Sequence, residues 1–166
     1  MTLKVVLLSD RIHKREDFEC RDETLNTFLK IRANQEHKKN ISDTYVLVNN
    51  SEPQIILGYF TLSNSGVSLA SLPKEYKKHF PNYPSIGTVL LGRMARNHNK
   101  SFPGFGEIIL KEAIKKSLER GSFVALEVVA KNEFLVSYYI SFGFIRFLDD
   151  AAHLFLPRAT MKKLIQ

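Results

Sequence analysis

The stretch best suited to chemistry is Lys100-Ser101-Phe102-Pro103-Gly104-Phe105-Gly106, a cation followed by a loop with two glycines close together. Before it, Val89, Leu90, Leu91, Met94 and Ala95 read as a buried strand, and after it a helix begins at Glu107. A strand that feeds a glycine loop at a helix start aims several backbone N–H groups at one point, which suits a phosphate. The loop is neither GxGxxG nor a phosphate loop ending in Lys and Ser/Thr, so an ordinary tight strand-to-helix turn stays open. Other residue types offer less. Cys20 has no histidine in an obvious pairing context and reads as a small core residue. The five histidines, His13, His37, His79, His98 and His153, are scattered without ligand spacing, so no metal site is expected. Tyr139 on its own reads as an aromatic packed under a sheet. No carboxylate stands out as a general base.

The elements that must position this loop follow from periodicity. Val5–Leu8 reads as a first strand, and Arg21–Lys38 as an amphipathic helix with Leu25, Phe28, Leu29 and Ala33 on one face and Asp22 as its N-cap. Tyr45–Val48 and Ile55–Ser63 read as a hairpin around the turn Asn49–Pro53. Val67–Leu72 reads as a short edge segment, and Pro73 to Pro84 as a short helix and loop. In the helix after the loop, Ile109, Leu110, Ala113, Ile114, Ser117 and Leu118 recur at three and four, with Gly121 placed to end it. Phe123–Ala130 reads as a strand, Asn132 as the N-cap of a helix over Glu133–Phe142, and Gly143 as its C′ residue. Phe144–Leu148 and His153–Leu156 close the chain as strands, the last ended by Pro157. The order predicts one α/β domain over residues 1–166 with a mixed sheet.

Bulk properties narrow the class. A length of 166 residues fits a single domain with a proper core. One cysteine excludes an internal disulfide framework and fits a reducing cytoplasm. No apolar run approaches the length of a membrane span. Lysine and arginine number 24 against 17 acidic residues, giving a net charge of +7 that favours polyanionic partners.

The segment Leu91-Gly92-Arg93-Met94-Ala95 through Leu110 resembles the acetyl-CoA-binding segment of the GNAT acetyltransferases, with Ser101–Gly106 in place of the family's Q/R-x-x-G-x-G/A loop. Asn132, followed by Tyr138-Tyr139-Ile140-Ser141-Phe142-Gly143-Phe144, is similar to the later N-x-x-A-x-x-F-Y-x-x-x-G-F element. A narrower resemblance, over nearly the whole chain, is to the GNAT toxins of bacterial toxin–antitoxin modules. It rests on Phe18, Cys20, Leu25, Asn26, Phe28 and Leu29, on Ser42, Tyr45 and Val46, on Gly58–Ser63 and Tyr83-Pro84, and on Leu154–Pro157. Ser101 stands where the family has Gln or Arg, Leu135 where it has a small residue, and Asn97 where it has Asp; Lys100 supplies a cation next to Ser101.

What the resemblance implies is direct transfer of acetyl from acetyl-CoA to an amine. The cofactor would lie against Met94, Ala95, Lys100, Ser101, Phe102, Pro103, Gly104, Phe105, Gly106 and Asn132. A backbone N–H at Met94–Ala95 would steady the oxyanion, and Tyr139 would protonate the leaving thiolate. Tyr138 would be its packed neighbour, since adjacent helix positions point about 100° apart. With no general base in view, an α-amine of pKa about 7.8, roughly 30% neutral near pH 7.4, suits the reaction better than a lysine, about 0.1% neutral. This agrees with acetylation of aminoacyl-tRNA, the activity of the resembled toxins. Arg93, Lys38, Lys39, Lys115 and Lys116, with Lys100, then become candidates for tRNA phosphate contact, each with a solvated-surface alternative. A small ribbon–helix–helix antitoxin is the expected partner, and homodimers are common among similar toxins. The competing readings are acetylation of a small amine or protein N-terminus, and a non-catalytic acyl-CoA-binding regulatory module.

Overall fold

The computed structural model describes residues 1–100 and 103–166. Ser101 and Phe102, both expected at the cofactor, lie outside the described residues. Among the described residues, seven strands follow the hydrogen-bonded order β1-β2-β3-β4-β5-β7-β6. They are β1 (Leu3–Leu7), β2 (Asp43–Asn49), β3 (Gly58–Ser68), β4 (Ser85–Arg96), β5 (Ala125–Val129), β6 (Ile145–Arg146) and β7 (His153–Pro157). Packing divides the chain into two compact units, residues 1–63 with 92–113, and residues 64–91 with 114–166.

In the first unit β1, β2 and the start of β3 form an antiparallel meander, with Leu3 opposite Asn49 and Asp43 opposite Leu62. The expected amphipathic helix is there, but as α1 (Glu23–Thr27), a π turn over Phe28–Arg32, and α2 (Ala33–Lys38). Asp22 caps it by accepting from the Thr24 N–H. The wide turn brings Phe28, Leu29 and Ala33 into one core with Phe18, Val46, Val48, Ile56 and Tyr59. The fourth helix, α4 (Phe105–Leu118), begins here; Phe105, Ile109, Leu110 and Ala113 are its buried positions within this unit.

In the second unit β4 and β5 run parallel, Thr88 opposite Ala125 through Leu90 opposite Glu127. β7 pairs antiparallel with β5, and β6 with β7. The expected edge segment at Val67–Leu72 is corrected: Val67 and Ser68 end an eleven-residue β3, and Leu69–Ser71 turn in a 3₁₀ segment before α3 (Lys74–Lys77). The run Ser63–Gly66 is polar yet remains strand, because alternate positions can face solvent without breaking the ladder. Helix α5 (Glu133–Ser141) is capped by Asn132, whose side chain accepts from the Leu135 N–H, and Gly143 follows at φ +102°. A last helix, α6 (Arg158–Leu164), is not foreseen by the sequence pattern. Arg158 Nη1 anchors it at 2.7 Å from the Gly121 carbonyl and 3.2 Å from that of Phe123. Met161, fully buried, adds about 1.5–3 kcal/mol of apolar burial. Among the described residues, no helix is long and apolar enough to cross a membrane.

Candidate active site

In the first unit the site grows from the end of β4. Ala95 is buried and Met94 half-buried, so this part of the strand presents mainly backbone. Asn97, 4% exposed, then fixes the turn: its N–H donates to the Leu57 carbonyl, its Nδ2 to the Ile56 carbonyl at 3.1 Å, and its Oδ1 accepts from the Asn99 N–H at 3.0 Å. Lys100 is exposed and its N–H donates back to the Asn97 carbonyl. Gly104 takes φ +78° with open space where a Cβ would stand, and its carbonyl accepts the Ile108 N–H. The N–H groups that precede Ile108 in α4 have no intrahelical acceptor. Pro103 and Gly104, the described residues that lead into the helix, are both exposed. A phosphate fits such a helix start without any side-chain cation.

Phe105 contributes differently from the expectation. Its ring is 1% exposed and packs where a Cβ on Gly58 would fall, 2.5 Å from Cζ and 2.9 Å from the Ala95 carbonyl oxygen. The ring seats the helix start on the sheet. Beside Ala95 a cavity of about 210 Å³ opens, walled by Cys20, Arg21, Asp22, Leu25, Arg96 and His98. The Cys20 thiol is pushed up by burial, and its Sγ lies 3.2 Å from the Asp22 carbonyl, so it is no thiolate nucleophile.

The cations divide. Lys38 and Lys39 are exposed at the end of α2, and Lys115 on α4. Lys116 lies 3.4 Å from Glu119. Arg93 is built in: its guanidinium sits 3.7 Å over the Phe28 ring and 3.6 Å from Glu36 Oε1. Burial pushes the Glu36 carboxyl up, but hydrogen bonds from Ser42 and Arg32 and the charge of Arg93 outweigh it and hold it below its ordinary value.

In the second unit Tyr139 lies on α5, 7% exposed, its ring against Phe144 at 5.1 Å. Burial, with a smaller contribution from Tyr138, pushes its phenol up to about 12. Tyr138, expected as the packed member of the pair, is the half-buried one, edge-on to Phe142 at 5.0 Å. The turn between adjacent helix positions puts residue 139 on the inner face of α5 and residue 138 on its flank. Asn132 uses its side-chain oxygen to cap α5, which leaves its amide group for a ligand. The β4–β5 ladder ends at Leu90–Glu127, although Val128 and Val129 continue to pair with Leu154 and His153 of β7. One edge of β5 is thus released where its other edge stays bonded.

Sequence reasoning missed a row of polar side chains on one face of this sheet. Glu127 is 3% exposed; Thr88 Oγ1 donates to its Oε1 at 2.5 Å, and His153 Nε2 meets its Oε2 at 2.5 Å. Strand pairing alone brings together residues 39 and 26 positions apart, so no local spacing signals them. Next to Thr88 lies an apolar cavity of about 440 Å³, lined among others by Val67, Tyr76, Phe80, Ile86, Phe147 and Phe155.

No family model matches the chain. The probable toxin TacT of Sinorhizobium fredii is 23% identical over 163 residues, 92% of this chain and 90% of that protein. The tRNA-acetylating toxin of Mycobacterium tuberculosis is 22% identical over 151 residues, 89% of this chain and 88% of that one. Among solved structures, AtaT complexed with acetyl-methionyl-tRNAfMet superposes with a TM-score of 0.85 at 31% identity, covering 99% of this chain and 100% of AtaT. A tyrosine-to-phenylalanine mutant of KacT gives 0.87 at 29% identity, covering 99% of both chains. AtaTR bound with acetyl-CoA, at 29% identity, and an AtaT mutant bound to the C-terminus of the antitoxin AtaR, at 27%, share the fold over nearly the full length. The architecture is that of the GNAT N-acetyltransferases. Within that class, the chain belongs to the GNAT toxins of bacterial toxin–antitoxin modules.

Proposed function

We propose that this protein transfers acetyl from acetyl-CoA to the α-amine of aminoacyl-tRNA and so blocks translation. The observation that carries the reading is the full-length likeness to AtaT, itself captured with acetyl-methionyl-tRNA. The chain's own residues supply what the chemistry requires. The N–H groups at the start of α4, opened by Gly104, hold the pyrophosphate of acetyl-CoA, with Lys100 as a nearby cation. The pantetheine arm lies along the end of β4, where backbone N–H groups at Met94–Ala95 stabilise the developing oxyanion. The acceptor amine attacks the thioester carbonyl, the C–S bond breaks, and Tyr139, a neutral phenol at every physiological pH, gives its hydrogen bond and proton to the thiolate.

The partners follow from the same reading. A net charge of +7 suits tRNA, with Lys38, Lys39, Lys100 and Lys115 as exposed candidate cations. A small ribbon–helix–helix antitoxin neutralises the toxin. Incubation of charged tRNA with acetyl-CoA and the protein, followed by mass spectrometry of the released aminoacyl groups, tests the activity. An added acetyl group is expected; unmodified aminoacyl groups reject the reading.

A further inference from the structure

The apolar cavity beside Thr88 has no part in the transfer described above, and every residue that lines it lies in the second unit. Its aromatic wall belongs to a packed cluster. Phe147 and Phe155 stand 4.9 Å apart between centroids, and Tyr76 meets Phe155 edge-on at 5.3 Å. Rings that brace one another resist collapse, so about 440 Å³ stays open beside an otherwise close-packed core. An apolar cavity of about 150 Å³ is already enough to take up benzene in place of water. The buried Thr88 hydroxyl donates to Glu127, so it offers no proton to a water in the cavity. Exposed His79 and Ala159 mark where the cavity meets solvent.

The charge in the wall has one sign. Arg158 supplies a guanidinium, and no carboxylate stands among the described residues that line the cavity. Arg158 Nη1 donates to the Gly121 and Phe123 carbonyls at 2.7 and 3.2 Å, and the guanidinium carbon lies 4.4 Å from the centre of the Phe123 ring. These contacts fix the group in place and leave Nε and Nη2 over. Neither has a hydrogen-bond partner among the described residues, and neither is among the buried unpaired atoms, so both remain accessible. Together they form the side edge of the guanidinium, a fork that matches a carboxylate with two parallel hydrogen bonds. We propose that this cavity binds an apolar monocarboxylate, a medium-chain fatty acid of about eight to twelve carbons. The chain lies among Tyr76, Phe147 and Phe155, and the carboxylate accepts from Nε and Nη2 of Arg158. One fork on one guanidinium suits a single negative charge, and its prior fixing lowers the entropy lost on binding. Binding of this kind needs no turnover, so it stands apart from the acetyl transfer.

The test is titration calorimetry of the full chain with decanoate, with decanol as the uncharged chain and acetate as the carboxylate without one. Decanoate is expected to bind one to one and to raise the melting temperature. Decanol should bind at least about tenfold more weakly, and acetate should not bind. Arg158→Gln removes the charge and keeps a donor for the Gly121 carbonyl; it should bring decanoate down to the affinity of decanol. Ala125→Leu adds bulk to the cavity wall and leaves the Arg158 anchor alone. It should weaken decanoate by more than about tenfold with the melting temperature nearly held. If Arg158→Gln does not fold, the comparison of decanoate with decanol on the unsubstituted protein and the Ala125→Leu titration decide the matter. Equal affinity for decanoate and decanol overturns the proposal. Decanoate binding that Ala125→Leu leaves unaltered puts the ligand elsewhere and overturns it as well. Self-association abolished by Ala125→Leu, with no uptake of decanoate up to about 1 mM, makes the cavity a protein interface and equally overturns it.

Discussion

Tyr139 and Asn97 are two polar side chains whose burial sets their chemistry. Burial lifts the Tyr139 phenol from about 10 to about 12, so ionisation costs the folded state more than the unfolded chain. The sign is that of an acid held neutral: this contribution to stability is whole below pH 10 and is lost as pH rises through about 12. Activity should show no alkaline decline from this group below pH 10. Tyr139→Phe removes one hydroxyl from a packed ring, so melting temperature and acetyl-CoA affinity by calorimetry should hardly change. The single-turnover rate should fall by about 10²–10³; a loss under tenfold would make the phenol a packing group. Asn97 occupies the place where the resembled family has Asp, and its Nδ2 donates to a buried carbonyl. An ionised carboxylate cannot donate, so Asn97→Asp should cost about 1–3 kcal/mol at pH 7 and regain part of it near pH 4, as the new acid protonates. Urea titrations at both pH values check this, and equal stability at pH 7 would show that the amide bond contributes little.

At the scale of elements, the proposed cofactor role of the glycine loop depends on the seating of the helix behind it, and Gly58 leaves the room for that seating. A methyl there would stand 2.5 Å from Phe105 Cζ and 2.9 Å from the Ala95 carbonyl oxygen, and the second obstacle is backbone that cannot rotate away. Gly58→Ala should destabilise by about 1–3 kcal/mol through overpacking and weaken acetyl-CoA binding more than a surface change of equal cost elsewhere. Thermal unfolding with and without acetyl-CoA separates these; an unaltered ligand-induced shift would free the helix start from Gly58. Much at this scale is legible in the sequence. Asp22, Asn132, Gly121 and Gly143 are local signals, and each cap and positive φ is placed by its own residue. What escapes is non-local. Helix α6 follows a proline and carries a single fully buried side chain, Met161, so its amphipathic pattern is too thin to read. β3 continues through Ser63–Gly66, past its last rung with β2 at Leu62, and the polar side chains there conceal the strand. The Thr88–Glu127–His153 row exists only after three strands have found their register.

At the scale of the molecule, charge is the property on which the proposed approach of tRNA depends. The excess of seven positive charges predicts association that falls steeply with salt, since each phosphate neutralised releases counterions. Yet the cations are not equivalent. Arg93 holds Glu36 and stacks on Phe28, so its removal should cost stability first and tRNA affinity only as a consequence. Lys38 and Lys39 stand in solvent at the end of α2 and carry charge outward. The double substitution Lys38→Ala with Lys39→Ala should leave the melting temperature and acetyl-CoA affinity unchanged. It should weaken binding of charged tRNA at low salt. The slope of log affinity against log salt should flatten by about one for each phosphate that is no longer neutralised. Filter binding between about 50 and 200 mM salt reads both quantities. A lower affinity with an unchanged slope would mean these lysines act through the shape of α2 rather than on phosphate. Unchanged affinity and slope would shift the tRNA footprint to the cations of α4.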